Sequence, residues 1–60
     1  MSLTLTPNIP GPDGFYATLI NAHEGLTKDE SDALNARLIL ILANHIGDRE
    51  VLAAALKAAR

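Results

Sequence analysis

Residues 27–47 run Thr27-Lys28-Asp29-Glu30-Ser31-Asp32-Ala33-Leu34-Asn35-Ala36-Arg37-Leu38-Ile39-Leu40-Ile41-Leu42-Ala43-Asn44-His45-Ile46-Gly47, and this stretch decides the fold. Thr27 and Glu30 stand three apart ahead of an apolar run, the spacing at which each side chain satisfies the other's exposed backbone N–H. Asp29 and Glu30 add negative charge where the helix dipole is positive. The helix is expected to continue to about Ile46, where Gly47 can take the left-handed conformation that ends it. On a helical wheel Leu34, Leu38, Ile41, Leu42 and His45 share one stripe. Ile39 and Ile46 fall well outside it beside Ala36 and Ala43, and Leu40 lies further round still. A helix apolar nearly all round is normally buried on several sides.

Outward from this helix, the chain reads as two shorter ones. Upstream, a helix is expected from Asp13 or Gly14 to Glu24, with Asp13 capping its first turn and Gly25 stopping it. Leu26 then sits where a Schellman motif places its hydrophobic contact. Phe15, Leu19, Ala22 and Leu26 share a face, with Tyr16, Ile20 and His23 on its shoulder. Downstream, Asp48 can cap a third helix from Arg49 to about Ala59, with Val51, Leu52, Ala55 and Ala59 on one face. Residues 1–12 hold Pro7, Pro10 and Pro12 together with Gly11, which predicts an extended N-terminal arm. Leu3, Leu5 and Ile9 are spaced so that one side of the arm can lie on an apolar surface; the alternative is a frayed terminus. The expected fold is all-α: a helical hairpin plus a third short helix in one domain over residues 13–60, assembled as an oligomeric bundle.

Sixty residues place the chain near the lower limit of self-sufficiency. Folds of this size usually lean on disulfides, a metal or a partner. There is no cysteine, which excludes disulfides and thiolate metal sites. The start of the chain has neither the basic residues nor the apolar run of a signal peptide, and the run Leu38–Ala43 is too short to span a membrane, so a cytoplasmic location is expected. Five basic and seven acidic residues give a net charge of −2. The basic residues Lys28, Arg37, Arg49, Lys57 and Arg60 are scattered singly, so no basic stripe for nucleic acid is present.

Hydrophobic residues make up 48% of the chain, yet Phe15 and Tyr16 are the only aromatics, so the apolar mass is aliphatic and concentrated in the second helix. Two short neighbours, one built largely of alanine, cannot cover all of it. Burying a large aliphatic side chain is worth roughly 1.5–3 kcal/mol. Leaving Ile39, Leu40 and Ile46 in water forgoes much of that. The expected cover is a second copy of the chain, in a dimer or higher oligomer, through Ile39, Leu40, Leu42, Ala43 and Ile46. The alternatives are a foreign protein partner or the arm folded back over the same surface.

Candidate chemistry is sparse. His23 and His45 are the only histidines, and there is no HExxH spacing to make a zinc site of them. His45 is expected as a core histidine satisfied by a backbone carbonyl or by Tyr16, with a metal role as the competing reading. Asn35 and Asn44 lie inside the helix, where asparagine is unfavourable, and Arg37 is near Asn44 on the wheel. With His45 and Asp48 they form a candidate polar site for a partner, a register-fixing network, or a plain solvated face. Ser2, Thr18 and Ser31 lack a nucleophile elbow or a base tied to them by spacing, and the isolated glycines form no phosphate-cradling loop. Neither catalysis nor a cofactor is expected.

The segments Phe15–His23, Gly25-Leu26-Thr27, Ala33-Leu34-Asn35-Ala36-Arg37-Leu38 and Leu42-Ala43-Asn44-His45-Ile46-Gly47-Asp48 resemble a short bacterial family of unknown function numbered 2783. The resemblance spans about residues 13–58 and leaves out the arm. It implies a proteobacterial setting, near flavin-dependent oxygenases of aromatic catabolism, and hence an accessory or stabilising subunit. Two functional classes are carried forward. One is a non-catalytic, self-associating interaction module. The other is a small-ligand or metal-binding protein centred on His45, with Asn44 and Arg37 beside it.

Overall fold

The computed structural model describes residues 3–60 and contains three α-helices, with no strand among the described residues: α1 (Pro12–Ala22), α2 (Lys28–Ile46) and α3 (Arg49–Ala59). Met1 and Ser2, the first residues of the expected arm, lie outside the described residues, as does the hydroxyl of Ser2 as a candidate nucleophile.

Helix ends are closed locally. At the start of α2 the Glu30 backbone N–H donates to Thr27 Oγ1 at 3.2 Å, and the Thr27 N–H donates to Glu30 Oε1 at 2.9 Å. Gly47, at φ 68°, ends α2 in the left-handed conformation and donates its N–H to the Ala43 carbonyl at 2.9 Å. One residue later Asp48 begins α3, its Oδ1 accepting from the Glu50 and Val51 N–H groups at 3.0 and 3.2 Å. Two helices are thus joined by two residues, each serving one helix end.

α1 differs from expectation at both ends. It starts at Pro12, not at Asp13 or Gly14, and its cap position is Gly11 at φ 56° with no side-chain cap bond. Proline at the first helical position loses nothing, because that N–H has no partner in a helix, and its fixed φ is already helical. Asp13 therefore sits inside the first turn, where it favours the dipole instead of capping it. The helix ends at Ala22, two residues short of Glu24. His23 and Glu24 donate to Ile20 and Asn21, and Leu26 donates to His23 at 3.2 Å, so the chain unwinds through three-residue-spaced bonds and the Schellman bond is not made. Gly25, at φ 79°, holds the third position of that last turn, where positive φ is required in a type II turn.

Packing between the helices is slight. No two helices meet along an extended seam, and among the described residues no side chain is fully buried. Ser31, Leu34 and Leu38 on one side of α2 are half-buried, as are Leu19 and His23 of α1. The rest of the expected inner stripe, Ile41, Leu42 and His45, is exposed, and so are Phe15, Ala22 and Leu26 of the face expected around Leu19. No helix packs along another over an extended seam, and α1, at 11 residues, is about 16 Å long against about 28 Å for the 19 residues of α2, too short to cover α2 along its length. His45, expected in a core, is corrected to the surface; His23 is the histidine drawn inward.

Both caps are open to test. Thr27→Ala and Asp48→Ala should each lower stability by about 1 kcal/mol, read by urea unfolding followed by circular dichroism. A change below a few tenths would mean that water replaces these caps without loss.

Candidate functional site

Helices α2 and α3 share a spacing that becomes a surface feature in three dimensions. On α2 the positions are Ile39, Leu42, Ala43 and Ile46; on α3 they are Leu52, Ala55, Leu56 and Ala59. Each set follows the i, i+3, i+4, i+7 pattern of one helix face. Together they line an open trough of 470 Å³. Every residue of the trough is aliphatic; no charged group, hydroxyl or amide side chain lines it. Ile39 and Leu56 are 62% and 69% exposed, far above what large aliphatic side chains show in a packed interior.

Four of the five residues expected at an interface, Ile39, Leu42, Ala43 and Ile46, are gathered here. Leu40 is not: it lies off the trough and is 70% exposed. From α3, Val51, Leu52, Ala55 and Ala59 were expected together on one face; Val51 does not line the trough, and Leu56 joins the other three. The signal for Leu56 was present in the spacing of Leu52, Ala55, Leu56 and Ala59, which repeats that of the α2 set.

The candidate polar residues do not assemble. Asn35, Arg37, Asn44 and His45 are exposed, and among the described residues no hydrogen bond links them to one another. Asp48 is half-buried and its carboxylate is engaged in capping α3. No three His, Cys, Asp or Glu side chains among the described residues stand close enough to hold a metal. The one ion pair among the described residues, Lys28 Nζ to Asp32 Oδ2 at 2.8 Å, is a solvated i, i+4 pair on the outer face of α2.

A second hollow, of 590 Å³, lies where the arm passes the start of α1, lined by Leu5 and Ile9 on one side and Pro12 and Tyr16 on the other. The Phe15 and Tyr16 rings stand 5.9 Å apart at 54° beside it. The arm therefore runs near α1 and does not fold back over Ile39, Leu40 or Ile46, which stay exposed.

The model of the family of proteins of unknown function DUF2783 matches residues 3–60, and the chain belongs to that family. The match takes in the arm, which the resemblance drawn from the helices had left out. No curated protein and no solved structure matches the chain.

If the polar residues are a solvated face, Arg37→Ala and Asn44→Ala should each change stability by less than about 0.5 kcal/mol. A loss above about 1 kcal/mol in urea unfolding would show that an assembly buries them in a hydrogen-bonded network.

Proposed function

We propose that this DUF2783 protein is a non-catalytic helical interaction module that self-associates. The single observation that carries this is the surface area. A folded monomer of 6.4 kDa is expected to expose about 3,800 Å², and this chain exposes 5407 Å². Its Cα radius of gyration is 13.2 Å, against about 10 Å for a compact domain of this length. Folding of the lone chain buries only about 40% of its unfolded surface, where about 60% is usual at this size. Large aliphatic side chains stay exposed on the arm and on all three helices, Leu5, Ile20, Ile39, Leu40 and Leu56 among them.

The setting proposed is the bacterial cytoplasm, and the role is that of an accessory or stabilising subunit. Two things support it. No helix is long and apolar enough to cross a membrane among the described residues, and the candidate polar residues Asn35, Arg37, Asn44 and His45 lie exposed with no hydrogen bond joining them. The reading centred on His45 lacks such support, since His45 lies exposed and, among the described residues, no three His, Cys, Asp or Glu side chains stand together.

Light scattering on a size-exclusion column, over a tenfold concentration range, tests the reading. A stable multiple of the 6.4 kDa chain is expected. Ile39→Asp should lower that mass toward the monomer, with residual helicity followed by circular dichroism. A compact, fully helical wild-type monomer at every concentration would overturn the proposal.

A further inference from the structure

The geometry points to a specific arrangement: two copies pair trough to trough, each laying its α3 into the other's α2–α3 trough, and the chain completes its folding only in that pair. This rests on the self-association proposed above and names the surface that carries it.

The trough selects its occupant by shape and chemistry. Ala43, Leu52 and Ala55 are the half-buried members of its lining, two of them small enough for a helix to approach closely, while Ile39, Ile46 and Leu56 stand exposed around them. Small-molecule sites carry a few placed polar groups that orient the ligand, and this trough has none. What fits is a helix face with apolar anchors at i, i+3, i+4 and i+7. The chain itself supplies such a face on α3, crowned by the exposed Leu56. A surface that is both groove and ridge is self-complementary, which is the requirement for a two-fold interface. The arm cannot be the occupant, since it lies at the start of α1.

The area agrees. The lone chain exposes roughly 1,600 Å² more than a monomer of its mass should. Standard reversible complexes bury about 800 Å² per partner, and obligate homodimers about 1,000–2,500 Å². The excess belongs to the chain as a whole, Leu5, Ile20 and Leu40 included, so trough pairing supplies part of the missing cover, and a fold that depends on it should melt in a concentration-dependent way. The two-fold axis is placed at the middle of the trough, beside Leu42, Ala43, Ala55 and Leu56.

The test uses the full chain and exploits its lack of cysteine. A single thiol at Leu56→Cys should be linked between copies by a short bis-maleimide, while Lys57→Cys, on the opposite face of α3, should not. The wild-type melting temperature should rise by about 10 °C over a hundredfold increase in concentration, as expected for two unfolding chains of this length. Should the wild type assemble while Lys57→Cys links and Leu56→Cys does not, the trough pairing is overturned and self-association stands. A wild type that is monomeric, with a melting temperature independent of concentration, overturns both. Protection of the Leu56→Cys thiol only on adding a foreign amphipathic helix, with no homodimer formed, would give the trough to another protein and overturn the pairing.

Discussion

A 19-residue helix stands in the chain between two of 11 residues, and because no helix packs along another over an extended seam, most of its surface is without a neighbour. Nearly every feature of the chain answers to that constraint. Ser31, Leu34 and Leu38 are half-buried, while the aliphatic run from Ile39 to Leu42 is open to water. Hydrophobic burial is the main force opposing chain entropy, and here the lone chain collects little of it. The helices are held by their ends: by the reciprocal Thr27–Glu30 cap, by Gly47 and by Asp48. Such caps define where helices start and stop, but each is worth only about 1 kcal/mol and cannot stand in for a core.

The division between what sequence showed and what it hid follows the range of each interaction. The caps of α2 and α3 involve groups within three residues of one another, so Thr27, Glu30, Gly47 and Asp48 could be read directly. The start of α1 was also local, yet two local rules competed there: Asp13 as a cap and Pro12 as a first helical residue, with Gly11 able to take φ 56°. The proline geometry prevailed. The position of His45 depended on how the helices pack on one another, a tertiary matter, and its expected burial is not met because no two of them meet along an extended seam. The candidate interface was legible as a property of α2 alone, but Leu40 and Leu56 needed the placement of α3 to be sorted, one away from the trough and one into it.

The polar residues illustrate the same limit from the other side. Asn35, Arg37 and Asn44 are unusual choices within an aliphatic helix, yet in a single chain they are simply solvated. Asparagine inside a helix is unfavourable by roughly half a kcal/mol relative to alanine, so their presence is not explained by helix formation. Family membership over residues 3–60 extends the unit of interest to the arm, whose Leu5 and Ile9 meet Pro12 and Tyr16 in a hollow of their own.

The junction Gly47-Asp48 has a consequence for how this sequence can vary in length. Because one residue closes α2 and the next opens α3, there is no slack between them. One residue added or removed there would re-aim α3 as a whole, since these two residues, one left-handed and one extended, set its direction and rotation relative to α2. Leu52 and Leu56 would then swing away from Ile39 and Ile46, and the shared trough would be lost although every helix remained intact. The junction is thus a rotational lock, intolerant of insertion at its hinge.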